Sequence, residues 1–182
     1  MKASVFIAMS LDGFIARPNG ELDWLDAANA KVSKDEDFGY HAFIKTVDVL
    51  VMGRKTYEYV LTCDEWPYKD VPVIVLSRQP ITFPANLPKT ITCSSEEPPD
   101  LCNRLSQEGI QHIYVDGGIT IQRFLAHGLI NNLTITLIPT ILGEGTPLFG
   151  SVPQDILLQC LSSYTFKSGF TQIKYTVLTE DI

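Results

Sequence analysis

The sequence predicts an α/β fold with a mixed, mainly parallel central sheet flanked by helices, and three observations predict it. Short apolar runs of strand length alternate with helical segments along the chain. These runs are apolar throughout, which is typical of parallel strands buried on both faces. Near the C-terminus the pattern changes to alternation around Ser168-Gly169, which indicates an antiparallel β-hairpin at the sheet edge.

The elements follow from where the apolar pattern starts and stops. The predicted strands are Ser4 to Met9, Val47 to Met52, Val71 to Leu76, His112 to Val115 and Leu133 to Pro139, with Ser163 to Lys167 and Thr171 to Thr179 forming the hairpin. Helices are predicted from their end signals over Asp35 to Thr46, after Gly53, from Pro98 to Gly109, and from Gly117-Gly118 to Gly128. Two stretches without periodicity, Ser10 to Lys34 and Leu142 to Pro153, are predicted to be long loops, which are often functional.

Length and composition exclude several classes of protein. A chain of 182 residues is expected to form one domain over residues 1–182, with a core that needs neither a metal nor disulfides. The net charge of −7 argues against binding to nucleic acid or to anionic membranes. The four cysteines form no CxxC pair and the three histidines do not have the spacing of a metal-binding motif, so no metal site is predicted. Scattered cysteines also predict a cytoplasmic protein whose thiols are reduced. The expected partner is therefore a small molecule.

A candidate anion site lies where an apolar strand ends at Gly53 and a helix starts with Arg54 and Lys55. A helix N-terminus offers unpaired N–H groups and a partial positive charge, and glycine lets a ligand approach the backbone. The alternative is an ordinary strand-to-helix junction with exposed basic residues. A Walker A loop is excluded because the required earlier glycine is missing.

Two further strand ends carry residues suited to phosphate. One is Ser77-Arg78, and the other is Asp116-Gly117-Gly118-Ile119-Thr120, for which simple turn chemistry is the alternative reading. Ligands of open α/β sheets collect at the carboxyl ends of the strands, so the three junctions together predict a dinucleotide. The cations Arg54, Lys55 and Arg78 favour NADPH over NADH, because the extra 2′-phosphate needs positive partners. A Rossmann site is disfavoured, since no GxGxxG follows a strand.

The same residues carry a resemblance that covers nearly the whole chain. The segments are Ser10 to Ala16, Leu22-Asp23-Trp24, Met52 to Thr56, Leu76-Ser77-Arg78, Asp116-Gly117-Gly118 and Ile141 to Phe149. In their order and spacing the chain resembles the dihydrofolate reductase-like superfamily, in the branch similar to the reductase domain of the bifunctional riboflavin-biosynthesis enzyme.

The resemblance implies a role for each matching position. Gly53, Arg54, Lys55 and Thr56 would hold the adenosine-side phosphates, Ser77 and Arg78 would lie near the 2′-phosphate, and Gly117, Gly118, Ile119 and Thr120 would meet the pyrophosphate. Ala8 and Ile15 would flank the nicotinamide, and Trp24 would pack on the cofactor, its alternative being a core anchor for the loop. Asp12 and Asp116 would lie near the substrate or the cofactor ribose. The resemblance also implies a homodimer formed by the C-terminal strands and the loop from Gly143 to Phe149.

The source of the proton is the open part of the chemistry. Hydride transfer to a C=N or C=O bond also requires protonation, so an acid or a positioned water must be near. Asp12 and Asp37 are the candidates; Asp12 has a turn as its alternative role, and Asp37 a helix cap. The predicted first helix has no acid on its apolar face, which argues against a folate substrate. The chain also lacks the HxE and PCxxC pattern of a deaminase, so it would act as a stand-alone reductase.

The sequence therefore predicts an NADPH-dependent oxidoreductase that reduces a small heterocyclic or carbonyl substrate, most like a riboflavin-pathway or dihydrofolate-related reductase. Two alternatives remain: a non-catalytic nucleotide-binding sensor or scaffold, and an α/β protein with no dinucleotide site.

Overall fold

A computed structural model of the chain describes residues 1–69 and 71–178. Its ten strands and five helices in chain order are β1 (Lys2–Ser10), β2 (Phe14–Ala16), α1 (Asp23–Asn29), α2 (Tyr40–Ile44), β3 (Val49–Gly53), α3 (Arg54–Val60), β4 (Val73–Leu76), β5 (Ile91–Ser94), α4 (Pro98–Gln107), β6 (His112–Asp116), α5 (Gly118–Ala126), β7 (Asn132–Ile138), β8 (Thr146–Pro147), β9 (Leu158–Thr165) and β10 (Thr171–Val177). The predicted α/β fold class is confirmed.

An eight-stranded sheet forms the centre of the molecule, in the order β5-β4-β3-β6-β1-β7-β10-β9. The six strands from β5 to β7 run parallel, whereas β10 and β9 pair antiparallel at one edge. The central strands β3 and β4 are buried along their apolar runs, as expected for strands covered on both faces. Consequently β3, β4, β6 and β1 all point their carboxyl ends toward the same side of the sheet.

Three of the predicted helices are confirmed at their sequence signals. α3 begins directly after Gly53, α4 begins at Pro98, and α5 begins at Gly118. Gly109 and Gly128 follow α4 and α5 with φ angles of +87° and +65°, a left-handed conformation that glycine adopts without strain. These three helices therefore start where the sequence signals predicted.

The helix predicted over Asp35 to Thr46 is wrong in its first half. Phe38 and Gly39 adopt φ angles of +54° and +82°, which a right-handed helix cannot contain, so α2 begins only at Tyr40. Asp37 instead accepts hydrogen bonds from the backbone N–H groups of Gly39 and His41. The acids at 35–37 thus belong to a turn that precedes the helix.

The two stretches predicted as loops contain regular structure. β2 and α1 lie within residues 10–34, and β8 lies within residues 142–153, where it pairs with β2 in a small second sheet. The C-terminal hairpin is confirmed around Gly169, although β9 starts earlier and ends sooner than predicted. The predicted end of its second strand at Thr179 lies outside the described residues.

Candidate functional site

A cavity of about 320 Å³ lies at the carboxyl side of the sheet, where β3 and β6 give way to α3 and α5. We call it the basic cavity because three of its lining residues are cations. Its walls come from both helix starts, from the β2 region and from the end of β4, and consist of Gly53, Arg54, Lys55, Thr56, Tyr59, Gly117, Ile119, Thr120, Arg123, Ala16, Gly20, Leu22, Leu76 and Thr146. Two of the three strand ends singled out by sequence therefore meet in one cavity.

Two glycines allow the walls of the basic cavity to approach each other. A Cβ atom on Gly53 would lie 2.7 Å from Thr120 Oγ1, closer than real Cβ contacts come. A Cβ atom on Gly117, whose φ is +89°, would overlap Thr56 Oγ1. The hydroxyls of Thr56 and Thr120 are thus held against the backbone at the starts of both helices, where N–H groups also point outward. This arrangement suits the oxygens of a phosphate.

The cations of the basic cavity differ in their partners. Arg54 donates to Glu58 one turn along α3 at 2.7 Å, and Arg123 pairs with Glu97. Lys55 has no carboxylate within 4.0 Å in the described part of the chain. Lys55 therefore carries the local positive charge that a bound anion would neutralise, while both arginines would exchange an exposed ion pair for it.

The remaining residues predicted for the cofactor lie around the cavity or away from it. Gly118 and Ile15 lie next to each other but do not line the basic cavity. A Cβ atom on Gly118 would lie 3.1 Å from Ile15 Cδ1. Leu76 lines the cavity, but Ser77 and Arg78, which follow it, do not. The Ser77 hydroxyl donates to the backbone oxygen of Gln79 within its own turn. The structure therefore brings the first and third junctions together and leaves the second at their margin.

A second cavity, of about 420 Å³, lies against one face of β1 and β7. We call it the aromatic cavity, because Phe6, Phe38, Tyr40 and Phe170 line it. Its other lining residues are Ala8, Leu25, Asn29, Val32, Ser33, Lys34, Glu36, Asp37, Thr136 and Ile138. Ala8, predicted to flank the nicotinamide, and Asp37, predicted as an acid, both lie here.

One segment of the chain contributes residues to both cavities. Ala16, Gly20 and Leu22 line the basic cavity, whereas Leu25, three residues after Leu22, lines the aromatic cavity. Residues 16–25 therefore run from the wall of one cavity to the wall of the other.

Trp24 lies within this shared segment but lines neither cavity. It is 5% exposed and packs in a cluster with Ile138 and Phe170. Of the two readings of Trp24, its burial supports the core anchor, and its stacking on a cofactor stays a prediction. Ala8 belongs to the apolar surroundings of the same cluster.

Comparison with known proteins decides the family. The profile described as the RibD C-terminal domain matches residues 2–172. The chain belongs to the RibD C-terminal domain family.

Relatives of similar length support this assignment. A crystal structure from Shewanella sp. PV-4, of a protein provisionally assigned to riboflavin biosynthesis, is 38% identical with a TM-score of 0.90, covering 98% of this chain and 100% of that one. The uncharacterized protein YwjB of Bacillus subtilis is 33% identical over 91% of this chain and 92% of its own. The deaminase/reductase of Thermotoga maritima, 15% identical with a TM-score of 0.69, shares the fold over 97% of this chain and 56% of its own length. RibD membership supports a role like that of the riboflavin-pathway reductases.

The carboxylates differ in whether they can hold a proton. Asp12 accepts hydrogen bonds from the Ser10 hydroxyl and from the N–H groups of Leu142 and Gly143, and these lower its pKa. The pKa of Asp37 is lowered by the N–H groups of His41 and Gly39. Both are therefore ionised at neutral pH and engaged in holding loops. The lowered pKa values disfavour both as proton donors, and that role stays a prediction for each.

Asp116 behaves in the opposite way. Burial at the end of β6 raises its pKa to about 6, although the N–H of Gly117 donates to it and opposes the shift. Burial raises the pKa of Tyr40, which lines the aromatic cavity, to about 12, and the charge of Asp116 adds to that shift. Asp116 is followed directly by Gly117, which lines the basic cavity, and it lines neither cavity itself. Of Asp12, Asp37 and Asp116, the last is the one whose pKa is raised toward neutral pH.

Several residues that line the two cavities were missed from the sequence. They are Ala16, Gly20, Leu22, Tyr59, Leu76, Arg123 and Thr146 in the basic cavity, and most of the aromatic cavity. Arg123 was recognisable, since it lies three residues after Thr120 and so shares its face of α5. Thr146 and Gly20 lie in stretches without periodicity, and only the pairing of β2 with β8 brings them to the cavity.

Neither a metal-ligand cluster nor a membrane-spanning helix occurs in residues 1–69 and 71–178. No cluster of three or more metal-ligating side chains occurs there. The helices in this part of the chain are all too short or too polar to cross a lipid bilayer.

Proposed function

We propose that the protein is an NADPH-dependent reductase that transfers hydride to a small heterocyclic or carbonyl substrate, in the manner of the riboflavin-pathway reductase domains. The observation that carries the proposal is the pairing of two cavities: a basic one built on helix starts, and an aromatic one that shares its wall segment. The first suits the phosphates of a dinucleotide and the second suits a flat ring.

The residues of the basic cavity fit the phosphates of NADPH. Thr56 and Thr120 hold hydroxyls against Gly117 and Gly53, a cradle that an added Cβ would fill. Lys55, Arg54 and Arg123 supply positive charge around it. Arg78, two residues beyond the lining Leu76, is the proposed partner of the 2′-phosphate, with Ser77 beside it. When bound, NADPH supplies the hydride.

The aromatic cavity is the proposed place of the hydride acceptor. Its apolar rings exclude water from a flat substrate, which strengthens polar interactions within the site. Ala8 on its floor has a side chain small enough to leave room for a ring above β1. Asp116, with its raised pKa, is the proposed store of the proton that reduction consumes.

Binding and turnover test the proposal. NADPH is expected to raise the melting temperature, as a ligand of the folded state must, and Lys55→Ala should weaken NADPH binding by roughly tenfold, the scale of one charge-assisted contact. Lys89→Ala, at an exposed position that lines neither cavity, is the matched control. NADPH oxidation is then followed with dihydrofolate, a ribosylaminopyrimidine and simple carbonyl compounds. A melting temperature that NADPH leaves unchanged would contradict the proposal.

A non-catalytic nucleotide sensor is the second candidate function. It is favoured by one observation, the engagement of Asp12 and Asp37 as hydrogen-bond acceptors in loop contacts, which lowers the pKa of both. Tight NADPH binding with no oxidation by any compound of the panel would favour the sensor over the reductase.

We also propose that two copies associate through the β9 edge of the sheet. All eight residues of β9 are exposed, and its outer edge has no strand beside it in the described chain. Leu157, Leu161 and Tyr164 are 56%, 57% and 63% exposed, an unusual concentration of apolar surface. A second copy of the chain would cover both the strand edge and these side chains. The proposed setting is the cytoplasm, where the free cysteines stay reduced.

A further inference from the structure

The segment between α1 and α2, residues 30–39, forms one wall of the aromatic cavity, and we call it the strap. Four residues of β1 and β7 line the same cavity from the sheet. The strap residues that line it are Val32, Ser33, Lys34, Glu36, Asp37 and Phe38. The strap and the sheet therefore enclose the cavity from separate parts of the fold.

The strap is held to the rest of the molecule by few interactions. It belongs to neither sheet, and most of its residues are exposed. In residues 1–69 and 71–178, its hydrogen bonds join residues at most four positions apart, with one exception. The exception runs from Gln172 Nε2 to the backbone oxygen of Phe38, at 3.0 Å. A segment with so few long-range contacts opens at a lower free-energy cost than the sheet does.

Two successive residues at the end of the strap have positive φ angles. Phe38 has a φ of +54°, which is strained for a bulky residue and persists only where the surroundings impose it. Gly39 has a φ of +82°, which glycine adopts freely, and no atom lies within 4 Å of its Cβ position. Residues that absorb unusual dihedral angles beside a helix are typical of hinges. This pair therefore marks a hinge directly before α2.

The C-terminal hairpin holds the strap through Phe38. The Phe38 ring stacks on Phe170 with 5.4 Å between centroids and meets Phe166 edge to face at 4.8 Å. Its backbone oxygen accepts the hydrogen bond from Gln172 on β10. Val32 adds an apolar contact with the cluster around Trp24. The strained residue is thus also the one that fastens the strap, so its release favours opening.

We propose that the strap is a lid of the aromatic cavity, hinged at Gly39 and held shut by the contacts of Phe38 with the hairpin. Ile138 lines the cavity and is 1% exposed, so the closed lid keeps this part of the floor from solvent. Opening exposes the floor and lets a ligand enter or leave. The lid goes beyond the proposed function, because it belongs to the cavity whatever ligand binds there.

Trypsin measures the opening of the strap without NADPH or a substrate. Cleavage after Lys31 and Lys34 needs a locally unfolded segment, so its rate follows the population of the open form. Gly39→Ala strains the closed conformation without removing a contact, and cleavage is expected to become about tenfold faster. Gln172→Leu removes the long-range hydrogen bond, and cleavage should become about fivefold faster.

Gly109→Ala is the matched control for the strained glycine. Gly109 has a φ of +87° and no atom within 4 Å of its Cβ position, but it follows α4. Cleavage of the strap should stay at the wild-type rate in this variant. Equal acceleration in Gly39→Ala and Gly109→Ala would show opening by global unfolding and would overturn the lid.

A thiol on the cavity floor shows whether opening of the strap also opens the cavity. Ile138→Cys is combined with each variant, and its labelling by N-ethylmaleimide is followed by mass spectrometry of that peptide. The labelling rate is expected to rise by the same factor as strap cleavage in Gly39→Ala and Gln172→Leu. Faster cleavage without faster labelling would show a flexible strap that is no lid. Unchanged cleavage in both variants would overturn the hinge and the catch together.

Discussion

Gly117 and Thr56 are in such close approach that a Cβ atom on the glycine would overlap the threonine hydroxyl oxygen. The contact joins the start of α5 to the first turn of α3, and it forms the back of the basic cavity. Because Gly117 also has a φ of +89°, both its backbone conformation and its lack of a side chain are required.

Gly117→Ala is therefore expected to destabilise the protein for two separable reasons. The dihedral angles φ +89° and ψ +139° cost a non-glycine residue about 1–3 kcal/mol, and the overlap with Thr56 adds roughly 1–3 kcal/mol. The same substitution in a Thr56→Ala background isolates the first cost, because the overlapping hydroxyl is then absent. Urea denaturation measures the free energy of unfolding lost in each background. Equal losses in the two backgrounds would show that the contact with Thr56 contributes nothing.

Arg78→Ala is expected to change the cofactor preference. If the guanidinium binds the 2′-phosphate, its loss should weaken NADPH by about tenfold or more and leave NADH nearly unchanged. Isothermal titration with both cofactors measures the ratio. Lys55→Ala serves as the comparison, because a residue at the phosphates common to both cofactors should weaken them alike. Equal losses of NADPH and NADH in Arg78→Ala would remove the 2′-phosphate role.

Asp116→Asn is expected to change how stability depends on pH. The pKa of Asp116 is about 6 in the folded protein against an ordinary value of 3.8, so the folded state holds this proton more tightly. Stability is therefore lost as the pH rises from about 4 through 6. The asparagine variant lacks this loss, and its side-chain oxygen can still accept a hydrogen bond from the Gly117 N–H. The difference in free energy of unfolding, variant minus wild type, should therefore be larger at pH 8 than at pH 4. A difference that is the same at both pH values would contradict the raised pKa.

Asp12→Ala is expected to release the loop that follows β7. The carboxylate accepts from the N–H groups of Leu142 and Gly143, so these two amides should exchange with deuterium several-fold faster without it. Asp12→Asn keeps one acceptor oxygen and should show a smaller effect. Because the pKa of Asp12 is lowered, neither variant should alter the shape of the pH profile of turnover near neutrality. Loss of the high-pH limb of that profile in Asp12→Asn would show instead that Asp12 donates the proton.

Leu161→Glu is expected to keep the protein monomeric. Leu161 lies on the exposed β9 strand, and a charge in the centre of an apolar interface would be left without water or a partner. Light scattering after size exclusion should give twice the 20.3 kDa chain mass for the wild type and the single mass for the variant. Leu11→Glu, at a residue that is 61% exposed and far from β9 in sequence, controls for the charge. A wild type that elutes as a monomer would refute the proposed association.

The parts of the fold that sequence predicted are those in which a local signal determines structure. Two strand-to-helix junctions were predicted from a glycine at the end of an apolar run, at Gly53 and at Gly117. Both junctions are confirmed. The β9 strand was predicted too short because its exposed residues do not alternate in polarity as a half-buried strand does. The helix at Asp35 was predicted too early, since nothing local reveals that Phe38 is left-handed. The backbone oxygen of Phe38 accepts a hydrogen bond from Gln172, which is 134 residues away.

One of the two cavities could be predicted from local sequence signals, and the other could not. The basic cavity is built on helix starts and so could be anticipated from Gly53, Lys55 and Thr120. The aromatic cavity is formed by tertiary contacts between β1, β7, the segment before α2 and the hairpin, and no periodic pattern connects them. Trp24 illustrates the limit, because the motif that contains it matches the family while its side chain lies in the core.

The segment over residues 16–25 would couple the occupants of the two cavities if binding of either one moved it. Leu22 lines the basic cavity and Leu25 lines the aromatic cavity, with Trp24 between them in the core. A ligand that shifts this segment changes both walls at once. By linkage, whatever factor the cofactor applies to the affinity for the acceptor, the acceptor applies in equal measure to the affinity for the cofactor.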